Sequence, residues 1–254
     1  MLVESATIAA NLERVRERIV RAATRAGRRV EEITLVAVTK TFPAEAVRAG
    51  YELGLRHFGE NRVQEWESKR AGLVDLDAKW HLVGHLQSNK ARRAAQIFHE
   101  IDSVDSVELA HKLARAIAES AQHRLSVLIE VRLSPEETKT GVPETDLPHL
   151  AEEILSEPGL DLRGLMAIPP FFDDPERTRP YFRRLCELRD SLRRHLSSTA
   201  SAPTEVRATG TDRSEESLLP ELSMGMSHDF EVAIEEGATQ IRLGTALFGQ
   251  RQLK

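Results

Sequence analysis

The most constraining feature of this sequence is a regular alternation of short apolar segments with amphipathic helical patterns. Eight apolar segments have the length and composition of strands, and a stretch with helical spacing follows each one. The predicted strands cover 33–39, 55–58, 80–83, 100–104, 125–131, 160–168, about 219–224 and 239–243. The helices that follow cover 43–53, 61–72, 89–98, 106–121, 147–156, about 175–196, 228–236 and a closing stretch from about 245. This alternation predicts parallel strands joined through helices.

Eight strand–helix units predict a (β/α)8 barrel, and an additional amphipathic helix is predicted ahead of it at about 6–27. A doubly wound open sheet also fits the alternation, but such sheets more often have five to seven strands. We therefore expect residues 1–254 to form a single barrel domain. The segment 197–217 is rich in Ser, Thr and charge and has no period. It is predicted to be a flexible loop or insertion, because the barrel pattern continues after it.

Composition excludes several classes of function. The net charge of −5 argues against a nucleic-acid surface, which needs a basic field. No apolar run approaches the length that spans a bilayer, and the N-terminus has no signal-peptide pattern, so a cytoplasmic location is expected. The single cysteine, Cys186, cannot form an internal disulfide and is interpreted as a small core residue.

Lys40 is the first candidate functional residue. It stands at the end of the first predicted strand, just before Thr41-Phe42-Pro43, where a helix is expected to begin. In a barrel, functional side chains stand at the C-terminal ends of strands. A lysine partly removed from water has a lowered pKa, and its neutral amine can attack an aldehyde and hold it as an imine. A solvated strand terminus is the plainer interpretation of the residue taken alone.

The loops after the seventh and eighth strands are candidate phosphate sites. Residues 222–229 pass from strand to helix with Ser223, Gly225 and Ser227, and residues 241–246 do the same with Gly244 and Thr245. Helix N-termini present unpaired N–H groups, and barrels commonly bind phosphate in these two loops. Capping of the helices by the hydroxyl side chains is compatible with the same pattern. The loops at 59–61 and 84–89 are also glycine-containing, and turn chemistry alone explains them.

Arg242 lies inside the eighth predicted strand, where its charge needs an acceptor. It fits either a structural ion pair with a carboxylate or a donor to the ring nitrogen of a cofactor. His81 and His85 are four residues apart, but on an extended segment that spacing is too wide for one metal ion, so no metal site is expected. The sequence also lacks the motifs of serine hydrolases and of dinucleotide enzymes.

Six stretches, taken together and in this order, resemble the pyridoxal 5′-phosphate homeostasis protein family. They are Leu35–Lys40, Phe58–Glu65, Trp80–Lys90, Gly164–Pro169, Leu222–Ser227 and Ile241–Gly249. The resemblance implies a barrel of the alanine racemase N-terminal-domain type that binds pyridoxal 5′-phosphate (PLP). The sequence departs from the family pattern at 197–217, which is longer and more polar, and at Thr140, where a serine is common.

The resemblance also implies a role for each matched residue. Lys40 would hold PLP as an internal aldimine, a Schiff base, and Arg242 would face the pyridine nitrogen. The phosphate would be cradled by the residues of the last two loops, partly through backbone N–H groups: Ser223, Gly225, Ser227, Gly244 and Thr245. Three further residues would line the ring or the entrance of the site: Asn61, His81 and Lys139.

An arginine that faces the ring nitrogen limits the chemistry of PLP. Arginine stays protonated, so it keeps the pyridine unprotonated and makes it a poor electron sink. Related racemases compensate with a tyrosine from a second domain. The sequence ends at Lys254, after the eighth unit, and Tyr51 and Tyr181 fall in predicted helices, so that group is expected to be missing. The expected function is a monomeric, non-catalytic PLP carrier in vitamin B6 homeostasis that supplies PLP-dependent apoenzymes.

Two alternatives remain open. The first is an amino-acid racemase or another weak PLP-dependent enzyme. The second is a cofactor-free barrel enzyme that acts on a phosphorylated metabolite, which would keep the two phosphate loops but have no use for Lys40.

Overall fold

A computed structural model describes residues 5–120, 124–134, 140–200 and 218–249. Eight parallel strands form a closed barrel in which each strand pairs with the next and β8 pairs with β1. The strands are β1 Thr34–Val38, β2 His57–Glu60, β3 Lys79–Leu82, β4 Glu100–Val104, β5 Leu125–Glu130, β6 Leu160–Met166, β7 Glu221–Ser223 and β8 Gln240–Leu243. All eight predicted strands are confirmed, and the open-sheet alternative is wrong because the sheet closes.

The helices of the described ranges follow the predicted order. They are α1 Ser5–Arg25, α2 Ala44–Glu52, α3 Val63–Arg70, α4 Ala91–Ile97, α5 Val107–Ala118, α6 Leu147–Ser156, α7 Arg179–Ala200, α8 Phe230–Glu235 and α9 Thr245–Phe248. Short 3-10 helices cover Val30–Glu32, Ser88–Lys90 and Pro175–Thr178. Within these ranges, no helix combines the length and hydropathy needed to cross a membrane.

The segment predicted as a loop at 197–217 is partly helical. Helix α7 continues through Ala200, so the prediction is wrong for its first four residues. Leu188, Leu192 and Leu196 are buried at helical spacing, and the helix runs four residues beyond the last of them. The remainder, 201–217, lies outside the described residues.

Helix α1 packs across the outside of the barrel. Its apolar stripe is buried, and it packs mainly against α2, α8 and α9. Asn11 donates a hydrogen bond from Nδ2 to the carbonyl oxygen of Leu247 at 2.8 Å, and Arg18 pairs with Glu231 at 2.8 Å. The extra N-terminal helix therefore joins the first barrel unit to the last one.

A bulge in β6 brings two backbones unusually close. Val127 of β5 pairs with Leu162 and the next residue of β5 pairs with Gly164, so Arg163 is the additional residue. A Cβ atom at Gly164 would lie 1.8 Å from the carbonyl oxygen of Glu221 in β7. Glycine is required here because no side chain fits between the two strands.

The barrel interior is unusually polar. Contacts cross it between strands that are not neighbours: Gln240 of β8 donates to Glu100 of β4 at 3.0 Å, and Ser223 of β7 lies 3.5 Å from Asp102 of β4. Most barrels fill this space with branched apolar side chains. Here the buried polar groups must satisfy one another, and they form a connected network beneath the C-terminal rim.

Candidate functional site

Lys40 follows β1 at the C-terminal rim of the barrel. It is half-buried and forms a turn with Thr41, whose φ of 69° lies in the left-handed region. That region is unfavourable for a β-branched residue, so contacts from the surrounding structure must hold the turn. Among them, the Thr41 N–H donates to the carboxylate of Glu65. The structure therefore places Lys40 where the sequence predicted, on a constrained turn.

The loop after β8 lies directly beside the end of β1. A Cβ atom at Gly244 would lie 3.2 Å from the carbonyl oxygen of Val38, two residues before Lys40. Phe42, which follows β1, packs against Phe248, which follows β8, with 5.1 Å between the ring centroids. Thr245 is exposed and Gly244 half-buried. Barrel closure thus brings Lys40 and the predicted phosphate loop of β8 to one rim.

The β7 loop joins the β8 loop through hydrogen bonds. Gly225 has a φ of 90°, and its carbonyl oxygen accepts from the Arg242 N–H at 3.0 Å. Ser227 accepts from the Ala246 N–H at 3.1 Å. The capping interpretation is therefore wrong as it was made: Asp229 precedes α8 and Gly244 precedes α9, whereas the Ser227 hydroxyl accepts from the first turn of α9, across the gap between the loops.

Arg242 is 4 % exposed and is bound by neutral acceptors. It donates from Nη1 to Ser223 Oγ at 2.7 Å and from Nη2 to the carbonyl oxygen of Ala167 at 3.0 Å. Among the described residues no carboxylate lies within ion-pair distance, so the structural ion pair considered from the sequence is not formed there. Burial lowers the pKa of Arg242, and the nearby carboxylates Asp102 and Glu130 oppose that shift.

Ser223 lies in the barrel interior, at 0 % exposure. Its hydroxyl accepts from Arg242 and lies 3.5 Å from Oδ2 of Asp102. One hydroxyl can accept from the guanidinium and donate to the carboxylate at the same time. The side chain therefore links Arg242 to Asp102, whereas the sequence predicted that it cradles a phosphate.

His81 is also in the interior and not at the entrance. Its Nδ1 lies 3.3 Å from Asp102 Oδ1 and 3.5 Å from Glu100 Oε1, and its Nε2 lies 3.0 Å from Nδ1 of His57. Burial opposes a charge on His81, but the two carboxylates outweigh it and raise its pKa to about 10. Burial and the charged neighbour lower the pKa of His57 to about 4. His81 is thus an imidazolium inside the barrel, connected through Asp102 and Ser223 to Arg242.

The His81, Glu100 and Asp102 ligand atoms lie within 4.8 Å of one another, a spacing that a metal ion could also use. A histidine binds a metal ion only through a neutral imidazole, and here the two carboxylates favour the protonated form of His81. His85, the other half of the spacing considered from the sequence, lies elsewhere: its side chain is 47 % exposed and pairs with Asp105 at 3.3 Å. The two histidines therefore do not share a site.

Asn61 lies at the end of β2, half-buried. A Cβ atom at Gly84 would lie 2.4 Å from the Asn61 carbonyl oxygen, so glycine permits this close approach. Ser103 donates to the Gly84 carbonyl oxygen at 2.8 Å. The ends of β2, β3 and β4 are thereby joined at the rim.

A cavity of about 210 Å³ opens at the ends of β5 and β6. It is lined by Glu130, Val131, Arg132, Leu133, Ser134, Thr140, Ile168 and Pro169. Thr140 donates to Glu130 at 2.7 Å, and burial raises the pKa of Glu130. Lys139, the third residue predicted near the ring or entrance, lies outside the described residues.

The chain is similar to known proteins over most of its length. The family described as "Alanine racemase, N-terminal domain" matches residues 5–212. The pyridoxal phosphate homeostasis protein of Aquifex aeolicus is 44 % identical over 241 residues, which are 95 % of this chain and 97 % of that protein. The chain belongs to the pyridoxal phosphate homeostasis protein family. The family's protein from Escherichia coli K12 is 40 % identical over 248 residues, covering 96 % of this chain and 97 % of that one.

Solved structures give the same assignment of fold. PipY of Synechococcus elongatus PCC7942, solved with PLP bound, is 36 % identical and superposes with a TM-score of 0.78. The match covers 95 % of this chain and 100 % of that chain. An alanine racemase of Clostridium difficile 630 matches with a TM-score of 0.66 at 14 % identity, over 98 % of this chain and 58 % of that one. The second likeness shows the fold alone. The predicted barrel of alanine racemase type is confirmed.

The sequence interpretation missed the buried acids of this family member. Glu100 and Asp102 in β4, Glu221 and Ser223 in β7, and Gln240 and Arg242 in β8 repeat every second residue. In a strand, residues two apart share one face. This pattern indicates that each of these strands has a polar face, and it could have predicted the polar network inside the barrel.

Proposed function

We propose that this chain binds PLP at the C-terminal rim of its barrel and serves as a carrier or buffer in vitamin B6 homeostasis. The observation that carries the proposal is the contact between the end of β1 and the β8 loop, since a Cβ atom at Gly244 would lie 3.2 Å from Val38 O. It brings an amine, Lys40, next to the two loops suited to a phosphate. The names of the family's relatives and the PLP-bound PipY structure support the same cofactor.

The donor set suits this cofactor. PLP supplies an aldehyde that condenses with a lysine amine, a phosphate, and a pyridine ring able to withdraw electrons from bound amino acids. Lys40 would hold it covalently. The phosphate would rest on Gly225, Ser227, Gly244 and Thr245, and Asn61 would border the ring, with Ser223 supporting Arg242 from below. A glycine at 225, with φ of 90°, leaves the loop free of a side chain.

Arg242 argues for a carrier over an enzyme. Its described partners are a hydroxyl and a carbonyl oxygen, so its geometry suits a donor to another neutral acceptor, the ring nitrogen. A permanent cation there discourages protonation of that nitrogen, and an unprotonated pyridine stabilises a carbanion poorly. The family name, which denotes homeostasis, is consistent with this restriction.

The racemase alternative needs a second acid or base opposite Lys40. The two tyrosines of the sequence lie in α2 and α7, and their rings contact Arg56 and Phe172 respectively. Neither stands at a strand end. The racemase neighbours share the fold at 14 % identity, which carries no argument about activity. We therefore propose no classical PLP-dependent activity, and delivery of PLP to apoenzymes as the role.

The first test is covalent attachment. Protein incubated with PLP should become yellow, and borohydride should leave a pyridoxyl group on the peptide that contains Lys40. The Lys40→Ala variant should lose both signals. Lys112→Ala is the matched control, because Lys112 lies on the exposed face of α5, paired with Glu108. A colourless wild-type protein would refute PLP binding and favour a cofactor-free barrel enzyme. Attachment that persists in Lys40→Ala would refute the assignment of the Schiff base to Lys40.

The second test separates a carrier from a racemase. PLP-loaded protein should exchange no α-hydrogen of alanine in heavy water, yet should restore activity to an apoenzyme faster than free PLP in the presence of a PLP-trapping reagent. Rapid exchange with inversion would remove the carrier interpretation. Absence of any transfer advantage would leave PLP binding intact but reject delivery.

A further inference from the structure

One ion cluster holds the peptide groups on both sides of Lys40. The ammonium of Lys69 donates to the carbonyl oxygen of Thr39, which precedes Lys40, at 2.8 Å. The carboxylate of Glu65 accepts from the N–H of Thr41, which follows Lys40. Lys69 joins these two contacts, because it also donates to Glu65 Oε1 at 2.8 Å. The cluster therefore fixes the backbone on which Lys40 stands without touching the phosphate loops.

Glu60 completes the cluster from the end of β2. Its Oε1 accepts from Lys69 at 2.9 Å and from the Thr39 hydroxyl at 2.6 Å. The Glu60 and Lys69 side chains are 1 % and 9 % exposed. Buried ion pairs stabilise folded proteins weakly, because the loss of hydration offsets the attraction. Their clearer effect is to hold the groups around them in one conformation, and here those groups are the backbone atoms of the Lys40 turn.

The turn needs such support. Thr41 has a φ of 69°, a conformation that a β-branched residue rarely adopts. Strained residues persist where surrounding contacts impose them, and such residues concentrate at functional sites. Loss of the contacts that hold Thr39 and Thr41 would let the turn relax and move the Lys40 amine. A displacement of about 1 Å can slow a reaction that depends on orientation by about 100-fold.

We propose that Lys69, Glu60 and Glu65 are positioning residues that aim the Lys40 amine at an aldehyde bound on the β7 and β8 loops. The proposal rests on the proposed function. The reaction that they assist is condensation, in which the amine nitrogen bonds to the aldehyde carbon and one water leaves with the aldehyde oxygen. No oxidant or reductant takes part. The cluster acts on the covalent step and leaves the recognition of phosphate and ring to other residues.

The test compares PLP with pyridoxamine 5′-phosphate, which has the same ring and phosphate but an amine in place of the aldehyde. Lys69→Met should slow attachment of PLP to Lys40, measured by borohydride trapping, at least about tenfold. Its dissociation constant for pyridoxamine 5′-phosphate should stay within about threefold of wild type, because non-covalent recognition is retained. Lys112→Met is the matched control: Glu108–Lys112 has the same i,i+4 spacing as Glu65–Lys69 but lies on the surface.

Glu65 supplies a second pair of variants if Lys69→Met does not fold. Glu65→Ala removes the acceptor of the Thr41 N–H and should slow attachment as Lys69→Met does. Glu65→Gln keeps an acceptor oxygen and should stay closer to wild type. Attachment at the wild-type rate in folded Lys69→Met or Glu65→Ala would overturn the proposal, as would an equal loss for both ligands. A wild-type protein that binds pyridoxamine 5′-phosphate but never links PLP would instead reject the proposed function.

Discussion

The buried imidazolium of His81 allows a prediction whose magnitude follows from the structure. His81 lies between Asp102 and Glu100, 3.3 Å and 3.5 Å from their oxygens, and is 0 % exposed. In the His81→Gln variant, both carboxylates lose their cation inside the barrel. Removing one partner of a buried ion pair destabilises a protein by about 3 to 5 kcal/mol. We expect a loss of this size in the free energy of unfolding at pH 7.

The pH dependence distinguishes lost charge from lost packing. The pKa of His81 is raised from 6.5 to about 10, so its stabilisation is complete below pH 6.5 and fades as pH rises through 10. With about 1.4 kcal/mol for each pKa unit, the imidazolium contributes about 4 kcal/mol at pH 7 and about 1 kcal/mol at pH 9. The deficit of the variant should shrink accordingly. It should also shrink as the pH falls, because burial raises the pKa of Asp102 and favours proton uptake by the unpaired carboxylates of the variant.

Urea unfolding followed by tryptophan fluorescence at pH 5, 7 and 9 measures this deficit. Trp66 and Trp80 are both buried, so their emission reports unfolding. His111→Gln is the control: the pair of His111 with Glu153 is 3.1 Å long but 49 % and 34 % exposed, and its loss should change stability by less than about 1 kcal/mol. A His81→Gln deficit below about 1 kcal/mol at pH 7, or one equal at pH 7 and 9, would refute the reasoning.

Three further predictions concern stability and reactivity. Gly164→Ala should lower the free energy of unfolding, measured in urea, by about 3 kcal/mol, because the new Cβ would lie 1.8 Å from a carbonyl oxygen. Gly72→Ala is the control and should change this free energy little, because the nearest atom to its Cβ would be 3.7 Å away. Glu221→Gln should stabilise the protein at pH 8 much more than at pH 5. Burial and Glu100 raise the pKa of Glu221 from 4.5 to about 7, so the cost of its charge to folding grows between these two values and is constant above them; a uniform effect would contradict this. Burial raises the pKa of the Cys186 thiol to about 11, so iodoacetamide at pH 8 should alkylate the native protein far more slowly than the unfolded chain. Mass spectrometry measures both rates, and equal rates would contradict this prediction.

Patterns of short range were sufficient to predict the eight strands and their order. An apolar run between turn residues indicates a strand whatever its neighbours in the fold are. The strand boundaries therefore also located Lys40 and the last two loops at strand ends. The end of α7 was misplaced, because the helix runs past Leu196, the last residue of its buried stripe, into a segment whose composition is typical of a loop. Composition alone therefore did not locate the end of this helix.

The interior network could not be derived in the same way. Ser223 was expected to help cradle a phosphate, because it lies in a strand-to-helix loop with two hydroxyls and a glycine that resembles the family's. Its hydroxyl bonds Arg242 and lies near Asp102, 121 residues earlier. Polar residues at every second position in a strand indicate a shared face, but they do not say which strands meet across the barrel. That depends on register and on closure, which bring β4 opposite β7 and β8.

Local patterns along the chain are enough to predict the repeating strand–helix unit, the amine after the first strand and the glycine–hydroxyl loops after the last two strands. These features depend on neighbours within about ten residues, where steric and hydrophobic preferences act locally. Three other features follow from the folded barrel: β8 lies against β1, Lys69 and Glu65 hold the turn around Lys40, and two carboxylates keep His81 charged. Each of these depends on groups from distant strands and helices that meet only when the barrel closes, and burial then determines their charge.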